Sequence, residues 1–192
     1  MNDPRVDPIS PEQRAEPVVV VPYDRAWADE FAALRDRLRA ALGSLAAGIE
    51  HVGSTAVPGL EAKPVIDVDV VIPHADDLDE VAEKLAPLGY TRLGDLGVVG
   101  REAFRAAADL PRHHLYVCAS GAPALQAHLI LRDVLRDDIE LAREYGALKR
   151  ALAERYRDDR DAYAEGKSGF IATVLRRERD RGDKRALPRR PA

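Results

Sequence analysis

Cysteine is almost absent from this chain, which has only Cys118 among its 192 residues. A single cysteine excludes an intramolecular disulfide framework and a zinc site built from cysteines, and we expect Cys118 to be a buried apolar residue. Aromatic residues make up only 5% of the sequence. No apolar run reaches the roughly 18 residues of a membrane-spanning helix, so we expect no membrane contact. No P-loop motif occurs either, which argues against a kinase-like ATPase.

Lysine is the second scarce residue, because arginine supplies 24 of the 29 basic side chains. Lysine carries a compact charge on a flexible stem, whereas arginine presents a planar fork, so the two are not interchangeable at a binding site. Each lysine that remains is therefore a candidate for a role that arginine cannot fill. The five lysines are Lys63, Lys84, Lys149, Lys167 and Lys184.

The length suits one domain, and the composition is that of a globular protein. We expect a flexible segment at residues 1–17, a single domain at 18–178 and a flexible basic tail at 179–192. The first segment lacks the apolar core of a secretory signal, so we expect a cytoplasmic location. The net charge of −4 divides into −9 up to Leu175 and +5 from Arg176 onward. The acidic body argues against general nucleic-acid binding, and the tail is either a solvated end or a docking segment.

The pattern of apolar residues places strands first and helices last. Strands are predicted at 18–21, 49–53, 65–72 and 114–118, and a glycine-punctuated hairpin at 90–104. Helices are predicted after Asp24, at 76–86 and from Pro123 to about Arg179, with breaks near Asp137 and Asp158. This order of elements predicts an α+β or α/β fold with a helical C-terminal part.

The segment from His51 to Asp69 carries the clearest chemistry. Gly53 and Ser54 follow a strand and open a turn, where free backbone N–H groups and a hydroxyl suit a phosphate. Asp67 and Asp69 alternate on the next strand, so both carboxylates point to one face of the sheet. Two adjacent carboxylates repel each other, and a divalent cation bound with phosphate oxygens relieves that repulsion. Each motif alone is common, but together they predict a phosphate and metal site.

The Gly-Ser turn followed by Asp-x-Asp resembles the signature of the nucleotidyltransferase superfamily, and the whole His51–Asp69 segment resembles the hallmark of its GrpB family. The similarity continues with His114–Val117, which is similar to the family's His-x-His-Val strand. Three helical segments also resemble the family pattern, at 128–136, 145–149 and 163–171. The resemblance spans roughly residues 19–175.

The resemblance implies an α+β fold with a nucleotidyltransferase-like mixed β-sheet flanked by helices. It implies Mg²⁺-dependent transfer of a nucleoside monophosphate from an NTP to an unidentified small-molecule or protein acceptor. Gly53 and Ser54 would hold phosphate, and Asp67 and Asp69 would hold the metal. Mn²⁺ is the alternative cation, and ATP is the first candidate nucleotide.

The chain departs from active nucleotidyltransferases at the third carboxylate that they usually add on a later strand. His114 and Tyr116 occupy the strand best placed for it, and Tyr116 replaces a histidine of the family pattern. A histidine can act as a base or complete a metal site, whereas a tyrosine is a poor metal ligand. Two hypotheses stay open. Either Asp67, Asp69 and His114 are catalytic, or the protein binds a nucleotide or phospho-metabolite without catalysis.

Four further cations are predicted to contact phosphate, namely Lys63, Arg132, Lys149 and Lys167. Lys63 and Arg132 have an alternative, because each could pair with an acidic neighbour. Lys149 flanks an apolar helix stripe and Lys167 lies on one, where a charge is costly unless it faces an anion. The remaining residue of interest is His51, which we expect to be a hydrogen-bonded core histidine.

Overall fold

The computed structural model describes residues 15–108 and 110–186, which form a five-stranded mixed sheet with helices on both faces. The strands are β1 (Gly48–Val52), β2 (Ile66–Ile72), β3 (Thr91–Gly94), β4 (Arg101–Arg105) and β5 (His113–Ala119). The helices are α1 (Ala26–Leu42), α2 (Leu78–Leu85), α3 (Pro123–Asp137), α4 (Ile139–Arg155) and α5 (Arg160–Ala186). The strand order is β1-β2-β5-β4-β3, with β2 and β5 parallel and the other neighbours antiparallel.

One face of the sheet carries the main apolar core under α1 and α2. Val68 and Val70 of β2 are completely buried there, as the alternation of that strand predicts. The helical stripe of α1 packs against them through Trp27, Leu34 and Leu38. Burying one side chain of this size stabilises the fold by about 1.5–3 kcal/mol. This core fixes which side of β2 is left for polar residues.

The other face is covered by α3, α4 and α5. Leu135 of α3 and Tyr145 of α4 are buried against Val57 and Leu60, which follow the turn after β1. The Tyr145 ring stacks on Phe170 of α5 with centroids 4.7 Å apart. This second layer therefore holds the Gly-Ser turn against the sheet. Among the described helices, none is long and apolar enough to cross a bilayer.

Several element boundaries differ from the sequence prediction. The predicted strand at 18–21 is replaced by one isolated bridge, Val21 to Ala62, because this extended segment runs beside the loop before β2 rather than into the sheet. The caps of α4 and α5 fall one residue later than predicted: the Asp138 and Asp159 carboxylates accept backbone N–H bonds there. Helix α5 continues to Ala186. The rest of the predicted tail and residues 1–14 lie outside the described residues.

Candidate active site

Three strands bring the polar residues of the site to one face of the sheet. The register of the parallel pair places His114 beside Asp67 and Tyr116 beside Asp69. On the other side, Glu50 of β1 is paired with Asp69. Directly paired residues point to the same side of a sheet, so all five side chains lie on the face opposite the main core.

Each aspartate is held by a histidine. The Nδ1 atom of His114 lies 2.7 Å from Oδ1 of Asp67, and Nδ1 of His128 lies 2.7 Å from Oδ2 of Asp69. Asp69 is completely buried, and its second oxygen, Oδ1, has no hydrogen-bond partner within residues 15–108 and 110–186. A buried ionised oxygen without a partner is costly. A bound cation would supply the missing interaction.

The donor set suits Mg²⁺ better than a transition metal. Asp67 and Asp69 offer carboxylate oxygens, which hard cations prefer. In the described part of the chain, no three His, Cys, Asp or Glu side chains converge as a complete metal cage. Mg²⁺ typically takes one or two protein carboxylates and completes its coordination with substrate phosphate oxygens and water. The residues present therefore fit a cation that arrives with a phosphorylated ligand.

The charge state of Asp67 also fits this role. Burial raises the pKa of Asp67, but the hydrogen bond and charge of His114, with the charges of Lys63 and His128, outweigh burial and hold the pKa below its usual range. Asp67 is therefore ionised at neutral pH, as a metal ligand must be.

Gly53 makes room for the Asp67 side chain. Its φ of +69° lies in the left-handed region, and a Cβ built there would lie 2.1 Å from Oδ2 of Asp67. Ser54 follows at the start of a short 3₁₀ turn, Ser54–Ala56. A side chain at position 53 would therefore collide with the Asp67 carboxylate, which explains why the turn needs glycine there.

A cavity of about 60 Å³ opens beside Asp67. Its polar lining includes Ser54, Lys63, Asp67, His114, Lys149 and Lys167. Three of the five lysines in the chain therefore meet at one place, although they are distant in sequence. The volume is that of a few water molecules, so the enclosed part suits a phosphate group and not a whole nucleotide. We call this space the lysine cavity.

Lys149 is almost completely buried at the cavity wall. Its Nζ donates to the backbone carbonyl of Glu61 and lies 4.7 Å from the ring centroid of Tyr145. Burial, assisted by the charge of Lys167, lowers the pKa of Lys149 to about 7, although Glu61 and Asp67 oppose the shift. An anion in the cavity would favour the protonated form of this lysine.

Lys167 reaches the same cavity from α5. Its Nζ lies 4.6 Å from the ring centroid of Tyr163, and Nζ of Lys63 lies 5.5 Å from the same ring. Burial lowers the pKa of Lys167, and the nearby Asp67 carboxylate only partly opposes this effect. The prediction that Lys167 lies on a buried face agrees with this position.

Arg132 lies elsewhere on the same face of the sheet. Its guanidinium donates to Oε2 of Glu50 at 2.7 Å, to the backbone carbonyl of His51 at 3.2 Å and to Asp133 at 2.7 Å. It does not line the lysine cavity. His51 is buried and hydrogen-bonded to Thr55 at 3.0 Å, which is a packing role. The structure thus brings together Lys63, Lys149 and Lys167 but not Arg132.

Two residues of this face were missed by sequence reasoning. Glu50 supplies a carboxylate beside Asp69 from the preceding strand, whereas the family resemblance places a third carboxylate on a later strand. Its alternation with the buried Ile49 and His51 along β1 was the available signal. Arg101 lies over the ring of Tyr116, with 4.3 Å from its guanidinium carbon to the ring centroid. No local pattern around Arg101 indicates this position, because it depends on the register of β4 with β5.

Comparison with known proteins supports the family resemblance. The family model described as GrpB protein matches residues 17–177. The UPF0157 protein PA4798 of Pseudomonas aeruginosa is 40% identical over 168 residues, which cover 83% of this chain and 67% of that protein. The UPF0157 protein YqkA of Bacillus subtilis is 33% identical over 157 residues, covering 82% of this chain but 46% of the relative. The chain therefore spans about half the length of YqkA.

Solved structures confirm the fold. The conserved protein GrpB from Enterococcus faecalis has a TM-score of 0.76 at 31% identity, covering 83% of this chain and 96% of that one. The Cid1 poly(U) polymerase with Mg 3'-dATP bound has a TM-score of 0.51 at 17% identity, covering 71% and 44%. The GLD-2/RNP-8 complex has a TM-score of 0.54 at 16% identity, covering 76% and 58%. The last two show the fold alone, and the predicted nucleotidyltransferase-like α+β architecture is confirmed.

Proposed function

This chain belongs to the GrpB family, and we propose that it is a Mg²⁺-dependent nucleotidyltransferase. The observation that carries the proposal is the Asp69 carboxylate, which is completely buried on the same face as Asp67 and the lysine cavity. One of its two oxygens, Oδ1, has no hydrogen-bond partner among the described residues. A cation bound with a polyphosphate satisfies the carboxylates and the lysines at once. The Mg 3'-dATP bound to Cid1, a protein of this fold, supports an NTP as the ligand.

The triphosphate binds at the Gly-Ser turn and the lysine cavity. Ser54 donates its hydroxyl, and the turn donates backbone N–H groups, to a terminal phosphate. Lys63, Lys149 and Lys167 neutralise the phosphate charge from the cavity wall. ATP is the first nucleotide to test, and Mn²⁺ is the alternative to Mg²⁺. When bound, Mg²⁺ neutralises charge on the phosphate oxygens as it develops.

The transfer step uses His114 as the base. An acceptor hydroxyl oxygen forms a bond to the α-phosphorus while the bond from that phosphorus to the pyrophosphate oxygen breaks. The products are the acceptor's nucleoside monophosphate ester and pyrophosphate. The hydrogen bond of His114 Nδ1–H to Asp67 selects the tautomer in which Nε2 carries the lone pair, so Nε2 takes the hydroxyl proton.

A second candidate function is binding without catalysis. Tyr116, with the guanidinium of Arg101 over its ring, stands on the strand where active relatives of this fold would carry a third carboxylate. With no acid there, the chain would hold a nucleotide or phospho-metabolite through the same turn and lysines and would transfer nothing.

The decisive experiment incubates the full chain with each α-³²P-labelled NTP, Mg²⁺ and cell extract that supplies acceptors. We expect labelled product from the wild type and from Asp36→Asn, an exposed carboxylate used as a matched control. Asp67→Asn should lose the product because the metal loses a ligand. Nucleotide-dependent thermal stabilisation without transfer favours the second candidate. Neither stabilisation nor transfer with any NTP contradicts both candidates.

A further inference from the structure

Arg101 lies on the same face as the aspartate pair, but beyond Asp69 and away from the lysine cavity. On β4, Ala103 is in register with Tyr116, and Arg101 is in register with Cys118. Ala103 contributes only a methyl group, so space remains over the Tyr116 ring, and the Arg101 guanidinium occupies it. The same ring lies 6.3 Å from the ring of His114 and 6.1 Å from that of His128. Tyr116 therefore contacts Arg101 and lies near both His–Asp pairs.

The charge of Arg101 is not compensated by protein within residues 15–108 and 110–186. No carboxylate there forms an ion pair with it, and its Nε is buried without a hydrogen-bond partner. By contrast, Arg92 contacts both Asp79 and Glu102, and Arg132 contacts Glu50. A partly buried guanidinium with an unused donor is costly unless an oxyanion reaches it.

The contact with Tyr116 suits such an oxyanion. The guanidinium carbon lies 4.3 Å from the ring centroid, a cation–π contact that restrains the planar group. The N–H groups lie along the edge of that plane, where they bind carboxylate or phosphate with two parallel hydrogen bonds. An arginine restrained in this way binds an anion in preference to a neutral group, even without contacts from other residues.

We propose that Arg101, held on Tyr116, binds an oxyanion group of the acceptor. This inference rests on the proposed function, in which the pyrophosphate leaves from the lysine cavity beside Asp67. Because the attacking and leaving oxygens of a phosphoryl transfer lie roughly in line, the acceptor enters on the side of the reacting phosphorus away from the lysine cavity, toward Asp69 and Tyr116, which His114 also borders. The acceptor is then a hydroxyl compound that also carries a phosphate or a carboxylate, and not a neutral alcohol or sugar.

The test titrates inorganic phosphate into the full chain, saturated with Mg²⁺ and the non-hydrolysable α,β-methylene-ATP, and follows binding by ³¹P NMR. Arg101→Gln should weaken phosphate affinity about tenfold or more, as expected for the loss of a bidentate charged contact. Arg92→Gln is the matched control, because its guanidinium is held by two carboxylates on the far side of β4, and it should leave affinity unchanged. Arg101→Lys should retain part of the affinity because it keeps the charge.

Two further arms separate the possible sites and ligands. Repeating the titration with Lys167→Gln distinguishes phosphate bound in the lysine cavity from phosphate bound at Arg101. Acetate that competes with phosphate extends the ligand class to carboxylates, whereas no competition limits it to phosphates. Equal phosphate affinity of the wild type and Arg101→Gln, or no binding of either anion by the wild type, overturns the inference.

The phosphate titration and the transfer assay can fail separately. Phosphate binding that depends on Arg101, in a chain that transfers no nucleotide, contradicts the proposed function but supports the oxyanion site. Undiminished transfer by Arg101→Gln contradicts the oxyanion site but supports the proposed function.

Discussion

The Nδ1 atom of His128 lies 2.7 Å from Oδ2 of Asp69 and leaves Oδ1 of the same carboxylate without a partner among the described residues. Helix α3 thereby fixes the orientation of a carboxylate that β2 carries into the protein interior. One oxygen is used to position the group, and the other is left to bind a ligand. Such a half-satisfied buried group is a cost to folding that a binding function explains.

We therefore expect Asp69→Asn to separate stability from function. The amide keeps an oxygen for His128 but places an N–H₂ group where Oδ1 lacked a partner, so the free energy of unfolding should change by no more than about 1–2 kcal/mol. Mg²⁺-dependent nucleotide affinity should fall at least tenfold, since a metal ligand is lost. Urea unfolding and calorimetry measure the two effects, with Asp36→Asn as the control. A strongly destabilised Asp69→Asn would instead indicate a purely structural carboxylate.

A pair of glycine substitutions tests the contact between the turn and the metal ligand. Gly53→Ala and Gly59→Ala both place a side chain at positive φ, +69° and +80°, so both strain the backbone. Only at Gly53 would the new Cβ collide with Asp67, because nothing lies within 4 Å of a Cβ at Gly59. We expect transfer activity to fall about 100-fold in Gly53→Ala alone, as misplaced catalytic groups do. Equal activity losses would argue against the positioning role of Gly53.

The lowered pKa of Lys149, about 7, predicts proton uptake when a nucleotide binds. At pH 8 most Lys149 side chains are neutral in the free protein, and a phosphate in the cavity draws a proton back. Calorimetry in buffers of different ionisation enthalpy should detect the uptake of up to one proton. Lys149→Met should bind nucleotide more weakly and take up less. The same uptake by Lys149→Met would show that another group titrates.

The lowered pKa of Lys149 also predicts how the free energy of unfolding changes with pH. Between about pH 7 and the ordinary value of 10.5, the unfolded chain holds a proton on Lys149 that the folded chain lacks. The contribution of Lys149 to stability is therefore unfavourable below pH 7 and improves as pH rises through that window. Denaturant titrations should show Lys149→Met to be relatively more stabilising at pH 6 than at pH 9. A difference independent of pH would contradict the shift.

The scarcity of lysine predicts that arginine cannot replace Lys167. The cavity of about 60 Å³ has little room for the larger planar guanidinium, although the charge is retained. Lys167→Arg should weaken nucleotide binding at least tenfold, whereas Lys84→Arg, which lies outside the site on α2, should not. Calorimetric titration with nucleotide compares the affinities of the two variants. Full affinity in Lys167→Arg would mean that charge alone matters.

Short-range patterns were sufficient to predict much of the site. The alternation of Asp67 and Asp69 with Val68 and Val70 fixed which side chains share a face, because strand geometry alternates strictly. The position of Lys167 on an apolar helical stripe predicted its partial burial in the same way. Both inferences needed only neighbouring residues.

Long-range register accounts for what sequence reasoning missed. Arg132 was expected at the phosphate, but Glu50 on β1 lies within reach of its guanidinium. The contact of Arg101 with Tyr116 depends on the pairing of β4 with β5, which no local pattern specifies. Competing partners for a charged side chain are therefore visible only once the strands are assembled.

The most direct test of the metal-dependent nucleotide site is a calorimetric titration of the full chain with α,β-methylene-ATP, in Mg²⁺ and then in EDTA. The wild type should bind in Mg²⁺ and lose at least tenfold in affinity in EDTA, since Asp67 and Asp69 repel phosphate without a cation. Asp67→Asn should bind weakly in both buffers. Equal affinity of the wild type with and without Mg²⁺, together with unchanged binding by Asp67→Asn, would contradict the metal site.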